Sequence, residues 1–494
     1  MRLGDLVSGV DPALSGRFAD LEVSAIWDDS RRVTPGSLFA VFSGPSVCGE
    51  NFIPQAVEKG ARVILISEGA SSQWEKRFTT VCFLKVSDPR KVFRGIVSNF
   101  YGRPSDYVRM IGVTGTNGKT TITYFLESIL AVMGRSAGVV GTVNSRVGGK
   151  VIPSKNTTPG MLDNQIFLHD LRKAGIDYGV MEVSSHALHQ GRVDLIDFRG
   201  AIFTNLTGDH LDYHGTMEEY FQAKSRLFTG LGKKAWAVIN NDDSYGQRLA
   251  GMTTARVITY GITTASDVQA EVEAFDLTGS RIVIRFFDEK IVLRTGFIGL
   301  HNVYNILAAF AAGLGEGFPP EKIKEGIESL RWVPGRLERV EEGQDFFLFI
   351  DYAHTDDGLK NVLQSLQAVK HHKIIAVFGC GGDRDRTKRP RMGQVACELA
   401  DLSILTSDNP RTEDPEAIIA EIVPGFSKKT YEIVVDREKA IERALDLADK
   451  NDIVLLAGKG HETYQVLKDK TIDFVEKDIV VRLLKEKMKR IERC

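Results

Sequence analysis

Residues 111–121 read IGVTGTNGKTT, a run that leaves the chain few choices of fold. Apolar and β-branched residues lead into a glycine-rich turn that ends in Lys119, Thr120 and Thr121, the pattern of a strand, a loop and a helix start. Gathering a polyphosphate takes glycines that let backbone amides approach, a lysine for the outer phosphates and a hydroxyl for a magnesium ion. Gly115, Gly118, Lys119 and Thr120 supply these, and Thr116, Asn117 and Thr121 complete the run. The strict spacing GxxxxGK[ST] is missed by one place, because Val113 stands where the first glycine belongs and Gly112 comes too early. A bare turn ahead of a capped helix is the alternative, but the strand before and the helix after favour a bound nucleotide.

The rest of the chain repeats this rhythm. Residues 1–104 alternate short apolar runs (GSLFAVF, ARVILIS) with helical patterns (FIPQAVEKG, RKVFRGIVSNFYG) before the Pro/Gly break GRPSD at 102–106. The central segment continues through DYGVMEVSS and RGAIFTNLTGDH, takes in a β-rich stretch near 255–298, and reaches a second break, WVPGR, at 332–336. Beyond it FFLFIDYAHT, KIIAVFGCGG, LSILTSDNP, YEIVVD and DIVLLAGKG all end in small or polar residues. These read as five buried parallel strands whose ligands gather outside their carboxyl ends. A chain of 494 residues exceeds one compact core. The expected class is therefore α/β with three domains: a smaller N-terminal α/β domain (1–104), a central P-loop ATPase-like parallel sheet (105–334) and a C-terminal Rossmann-like doubly wound sheet (335–494).

Composition removes several alternatives. Lys plus Arg at 63 against Asp plus Glu at 65 leaves a formal charge of −2, with no broad field to collect nucleic acid or anionic membrane. An anionic substrate must be caught locally. Five cysteines at 48, 82, 380, 397 and 494, without CxxC spacing, point to free thiols rather than a disulfide framework or structural zinc. No signal-like start and no run near ~18 apolar residues are seen, so a cytosolic protein without membrane insertion is expected. The tail LLKEKMKRIERC reads as a solvated helix.

Charged groups cluster at the strand ends. In a parallel sheet Glu182 (MEVSSHAL) and His210 (TNLTGDHLDYHG) leave neighbouring strands on the edge of the phosphate loop. Alone, the first reads as a surface salt bridge and the second as a loop hydrogen bond; beside a phosphate loop they read as a shared metal site, with oxygen donors suited to magnesium. Lys224, in YFQAKSRLF, reads as a solvated helix lysine. In the third segment Arg384, Arg386, Lys388 and Arg389 crowd one turn, Arg411 follows a second, and Lys459, His461 and Glu462 a third. Planar guanidinium forks match carboxylates and Glu462 matches an ammonium, so the set suits a zwitterion.

Ten motifs in order, GTNGKTT, NTTP, EVSSHAL, TNLTGDHLDYHG, HNVYN, the GR at 335–336, DYAHT, GCGGDRDR, DNPRTEDP and GKGHE, resemble the Mur ligases, the ATP-dependent amide-forming enzymes of bacterial cell-wall synthesis, over essentially the whole chain. The resemblance is nearest to the members that add the third residue of the stem peptide. It implies ATP on Gly115 through Thr121, with Asn305, Arg336 and Asp351 placing the rest of the nucleotide. It implies Ser30, Pro45 and Ser46 at the uridine diphosphate, and Asn156, Thr157, Thr158, Ser184, Gln190 and Arg192 at the muramoyl dipeptide. Thr120, Glu182 and His210 become ligands of Mg2+, and Lys224 matches the lysine that the family converts to a CO2-derived carbamate, which reverses its solvated reading.

Arg384, Asp408, Asn409, Pro410, Arg411, Gly458 and Glu462 match the family's amino-acid pocket, in which Arg411 would meet the second carboxylate of meso-diaminopimelate. The implied reaction adds meso-diaminopimelate to UDP-MurNAc-L-Ala-D-Glu through an acyl phosphate, with the enzyme a monomer that has no nucleic-acid partner. A lysine-adding ligase and a folylpolyglutamate synthetase are the alternatives within the fold. Asp356 stands where the family commonly has proline, a change expected to loosen that turn.

Overall fold

Four parallel strands, Ile26–Trp27, Leu38–Ala40, Val63–Ser67 and Cys82–Val86, lie side by side in chain order and build the N-terminal sheet. Helix Pro89–Tyr101 covers one face with Val92, Phe93, Ile96 and Val97, the i, i+1, i+4, i+5 stripe of an amphipathic helix. Its start is fixed by Asp88, whose carboxylate accepts from the amides of Arg90 and Lys91 at 3.0 Å each, a cap whose loss costs about 1 kcal/mol. The second face packs Phe39, Val41, Ile53, Ile64 and Trp74 into a separate core.

The computed structural model describes residues 1–11, 19–44, 47–154 and 156–491. They form two compact units, one of Met1–Met110, Thr158–Gly179 and His186–Phe198, the other of Ile111–Thr157, Val180–Ser185 and Arg199–Cys494. Helix Met161–Lys173 joins the smaller unit because Leu162 is buried in the same cluster as Val92, Phe93 and Ile96.

The larger unit carries two main sheets. An eleven-stranded sheet has Arg109–Thr114 between Phe198–Phe203 and Tyr178–Glu182. Its strands run parallel from Phe198–Phe203 through Trp236–Asn240 and Arg256–Gly261 to Val268–Asp276. The β-rich stretch foreseen near 255–298 joins this sheet and turns it antiparallel at one edge through Gly279–Phe286 and Glu289–Thr295. The burial patterns explain the change: Trp236–Asn240 is buried throughout, whereas Glu289–Thr295 alternates exposed and buried because one face is open.

The second sheet is ordered Glu338–Val340, Phe347–Asp351, Ile453–Ala457, Ile374–Phe378, Leu402–Leu405, Tyr431–Ile433, parallel except for the first strand. All five strands read from the third segment are present. Tyr431–Ile433 is the exception to their burial, since as the edge strand it is only half covered. Helices Asp356–Gln367, Lys388–Leu399 and Pro415–Ile422 pack one face, Arg437–Leu447 and Glu476–Ile491 the other. The chain returns from the edge to insert Ile453–Ala457 between Phe347–Asp351 and Ile374–Phe378, so loops leave that point toward opposite faces and open a crevice at the carboxyl ends. The C-terminal tail is not a wholly solvated helix, because Val480, Leu483 and Leu484 are buried in this core.

Candidate active site

The phosphate loop takes the shape its glycines allow. Gly115 and Gly118 have φ of 144° and 89°, and a methyl group at either would overlap Thr204 Oγ1 or Asn305 Oδ1 respectively. Strand-end residues clamp the loop from outside: Asn205 Oδ1 accepts from the Asn117 amide at 2.9 Å, Asn205 O from the Thr116 amide at 2.9 Å, and Thr204 Oγ1 donates to Asn117 O at 2.6 Å. Helix Lys119–Val132 starts here with no side-chain cap, leaving its first amides for an anion. Lys119 Nζ donates to Gly115 O and Thr116 O at 2.9 and 2.8 Å, and burial lowers its pKa from the ordinary lysine value.

Beside the loop Glu182 is buried. Its carboxylate accepts from Thr120 Oγ1 at 3.1 Å, the Thr142 amide at 2.8 Å and Thr142 Oγ1 at 2.9 Å. His210 is half exposed in left-handed backbone with φ of 55°, and burial of its surroundings lowers its pKa, favouring the neutral ring. Lys224 is buried rather than solvated: Nζ donates to Gly115 O at 2.8 Å and lies 4.6 Å from the centre of the Tyr220 ring. Burial first, and then the charge of Lys119, hold its pKa well below the usual lysine range. Among the described residues no three His, Cys, Asp or Glu side chains converge into a metal site by themselves.

Two groups of the second sheet and its first helix, Arg336 and Asp357, reach the loop, and the buried Asp351 lies behind them at a strand end. Arg336 donates from Nη2 to Thr120 Oγ1 at 3.3 Å, stacks 5.0 Å from the centre of Tyr352, and leaves Nε buried with no partner. Asp351 is buried, accepting from the amides of Leu337 and Ala353 at 2.6 and 2.7 Å, and burial raises its pKa. Asp357, in the first turn of helix Asp356–Gln367, accepts from Asn117 Nδ2 at 3.1 Å and Thr207 Oγ1 at 3.3 Å. Asn305 is buried, with Nδ2 on Asn302 Oδ1 at 3.2 Å. The turn at Asp356 is firm: Thr355 caps the helix by accepting from the Gly358 amide at 3.1 Å, and Asp356 pairs with Arg391 at 2.9 Å.

At the carboxyl ends of the second sheet a polar pocket forms. Asn409 Nδ2 donates to Glu462 Oε2 at 2.9 Å, and buried Lys459 donates to Asn409 Oδ1 and Glu462 Oε2 at 3.1 Å each. Asp408 lies 3.9 Å from Lys459, Pro410 O accepts from the Glu413 amide, and the Gly458 amide donates to Asp351 O at 3.0 Å. Arg411 has φ of 54°, a left-handed backbone that costs an ordinary residue about 1–2 kcal/mol. Its Nη1 donates to Gly382 O at 2.7 Å and Asn409 O at 3.4 Å, while Arg384 donates to Asp383 O at 3.1 Å. Among the described residues neither guanidinium has a carboxylate within 4.0 Å, unlike Arg389, which is fully buried and bonded to Glu413 and Glu421.

The remaining sequence-derived positions fall as follows. In the smaller unit Ser30 is buried with Oγ on Gln55 Oε1 at 2.6 Å, and Arg192 bridges Thr158 O at 3.0 Å and Gln190 Oε1 at 2.6 Å. In the larger unit Asn156 is exposed, Thr157 Oγ1 lies 3.1 Å from Thr142 Oγ1, and Ser184 follows strand Tyr178–Glu182. Pro45 and Ser46 lie outside the described residues. Thr142, Thr204, Asn205 and Asp357 were not singled out from sequence. The polar strand end TN in GAIFTNLTGDH was the available signal for Thr204 and Asn205, and nothing marked Thr142.

A glycine loop ending in Lys-Thr, a buried carboxylate beside its hydroxyl and a second sheet touching the same loop define a nucleotide-dependent α/β enzyme. Three family models match in order: "Mur ligase family, catalytic domain" over residues 22–101, "Mur ligase middle domain" over 113–313 and "Mur ligase, glutamate ligase domain" over 335–460. The chain belongs to the Mur ligase family. It is 44% identical over 491 residues to the UDP-N-acetylmuramoyl-L-alanyl-D-glutamate--2,6-diaminopimelate ligase of Solibacter usitatus (strain Ellin6076), covering 98% of each chain. To the ligase of the same name from Syntrophomonas wolfei subsp. wolfei (strain DSM 2245B / Goettingen) it is 42% identical over 494 residues, covering 99% of this chain and 100% of that one. A solved structure of an enzyme with this name superposes with a TM-score of 0.71 at 31% identity, over 99% of this chain and 100% of that one.

Proposed function

We propose that this ligase joins meso-diaminopimelate to UDP-N-acetylmuramoyl-L-alanyl-D-glutamate, driven by ATP and releasing ADP and phosphate, in cytoplasmic peptidoglycan synthesis. The observation that carries the reading is the amino-acid pocket: Arg384 and Arg411 lack a carboxylate partner among the described residues, and Glu462 stands on the other side of Asn409. Such a pocket suits an ammonium and more than one carboxylate, and lysine has no second carboxylate to offer Arg411.

A free carboxylate is a poor acyl donor, so the glutamyl side chain must first gain a leaving group. Lys119 and the amides of residues 115–121 hold the phosphates so that the γ-phosphoryl passes to that carboxylate. Thr120, Glu182, His210 and carbamylated Lys224 would hold magnesium, which offsets charge on the transferring oxygens. The donor set fits: a hydroxyl lies 3.1 Å from a carboxylate oxygen, and a lysine whose pKa burial holds well below the usual range is the more easily deprotonated to add CO2 and become a further oxygen ligand. Asn305, Arg336 and Asp351 are assigned to the nucleotide, and Ser30 to the uridine diphosphate. For the muramoyl dipeptide the assignments are Thr158, Gln190 and Arg192 in the smaller unit and Asn156, Thr157 and Ser184 in the larger. Boundaries at 1–104, 105–334 and 335–494 go with these roles. The link at Gly335, whose amide is held by Glu338 at 2.9 Å, is the place for the second sheet to close over the loop and keep water from the acyl phosphate.

The test supplies ATP, magnesium and the UDP-linked dipeptide with diaminopimelate, lysine or glutamate in turn, following ADP release and product mass. A diaminopimelate-dependent tripeptide supports the reading. ADP release without a longer peptide, or a preference for lysine, overturns it.

A further inference from the structure

The attacking nitrogen must shed a proton as it bonds to carbon, and none of the groups assigned above receives it. His354, three residues beyond the buried Asp351, lies between the two halves of the site. The ring of its neighbour Tyr352 lies 4.6 Å away, stacks under Arg336 and reaches Glu462 with its hydroxyl at 3.5 Å, so it touches both the phosphate-loop side and the amino-acid pocket. His354 is an exposed residue at this place, and its backbone carbonyl accepts from Lys388 Nζ at 2.7 Å.

One contact fixes what this imidazole can do. Nδ1 lies 2.8 Å from Tyr352 O, and a carbonyl oxygen can only accept, so Nδ1 carries a hydrogen. In the neutral ring Nε2 is then an acceptor with a free lone pair, and it has no partner among the described residues. The surroundings favour the neutral ring: desolvation first, then the charge of Lys388 and more weakly that of Arg336, lower its pKa against the opposing pull of the Tyr352 carbonyl and of Asp209, and the remaining neighbour beside Tyr352 is His461, itself held down to about 3 by burial. A neutral Nδ1–H imidazole offers phosphate no donor at Nε2, whereas a proton finds an acceptor there.

We infer that His354 Nε2 is the general base of amide formation. The step rests on the acyl-phosphate reading above. The amine enters neutral, having left one proton in solvent. As its lone pair bonds to the acyl carbon and the carbonyl pair moves to oxygen, the nitrogen gains acidity and passes a second proton to Nε2. The oxygen pair then returns, the carbon–oxygen bond to phosphate breaks with its electrons on phosphate, and the imidazolium gives its proton to the departing phosphate.

The test exploits a nucleophile that needs little help. Hydroxylamine is already a free base near neutral pH, so it can trap an acyl phosphate as a hydroxamate without a protein base. Wild type, His354→Ala and His354→Gln are each given ATP, magnesium and the UDP-linked dipeptide, with diaminopimelate or with hydroxylamine. Expected is a fall of about 10²–10⁴-fold in tripeptide formation for both variants while hydroxamate formation stays within a few-fold of wild type. Tripeptide formation that survives, or a parallel loss of hydroxamate, overturns the assignment; parallel loss in the two variants marks a role in shaping the phosphate site instead. Failure of wild type to form either product would overturn the function itself, a separate result.

Discussion

The phosphate loop and the amino-acid pocket are both built at strand ends, yet they are satisfied in opposite ways. Lys119 folds onto the carbonyls of its own loop, and Thr204 and Asn205 tie that loop to the neighbouring strand, so its polar groups are satisfied by protein on both sides. Arg384 and Arg411 rest on backbone carbonyls with no carboxylate opposite among the described residues, and Arg411 is held in left-handed backbone as well. The loop is a rigid receptor for an anion that every member of a nucleotide-binding class must hold. The pocket keeps charge in reserve for one particular substrate, with backbone strain of about 1–2 kcal/mol maintained by its surroundings.

The difference can be broken most forcefully at the loop. Lys119→Ala removes the cation without opening the clamp of Thr204 and Asn205, so turnover is expected to fall by at least about 10²–10³-fold with an unchanged thermal midpoint. A midpoint drop of several degrees would show instead that the lysine holds the loop together.

At the pocket the expected change is in choice more than in rate. Arg411→Ala should reduce the preference for diaminopimelate over lysine by about 10–150-fold, the equivalent of about 1.5–3 kcal/mol for a charge-assisted hydrogen bond, read from competition between the two amino acids. Arg411→Gly sharpens the contrast because glycine accepts φ of 54° freely: it should lose the same preference yet melt higher than the Ala variant, by the equivalent of about 1 kcal/mol. Equal midpoints would mean that the left-handed backbone carries no strain. A smaller effect is expected where the two regions touch. Asp357→Ala removes the acceptor for Asn117 and Thr207 and should raise KM for ATP by about 3–10-fold with little change in kcat.

The same contrast governs what could be read from the amino-acid sequence. The loop was legible because its residues are contiguous and each has one job that glycine, lysine or threonine alone performs. The doubly wound second sheet was legible from five apolar runs with polar ends, although the half-covered edge strand Tyr431–Ile433 looks no different from its buried neighbours in sequence. Burial of single charges was not legible. GCGGDRDRTKRP offers Arg384, Arg386, Lys388 and Arg389 within six positions, and only the fold sends Arg389 inward to Glu413 and Glu421 while leaving Arg384 exposed. Lys224 is the same case: a helix lysine in YFQAKSRLF that nothing in the neighbouring residues marks as inward, buried because its helix turns that face toward the phosphate loop. Asp357 was missed because its partners are 240 and 150 residues away in the chain.

The contact between Arg389 and Glu413 also gives the pocket a limit at acid pH. Glu413 accepts from both Nη atoms of Arg389 at 3.0 and 2.9 Å, from Arg386 at 2.6 Å and from the Asp383 amide at 2.6 Å, and so fastens the turn that carries Arg384 to the turn that follows Arg411. The hydrogen bonds from Arg389 foremost, and then the Asp383 amide, hold its pKa at about 2, below the ordinary 4.5. A carboxylate with a depressed folded-state pKa contributes stability that is fully present above the unfolded value and is lost as pH falls through the folded one. The contribution should therefore be intact at neutral pH and disappear between about pH 4.5 and pH 2. Thermal melts of wild type and Glu413→Gln across that range isolate it from other carboxylates: the gap between the two curves should be widest above pH 5 and close on acidification. Parallel curves down to pH 2 would mean that the turn is held by Glu421 and Arg389 without Glu413.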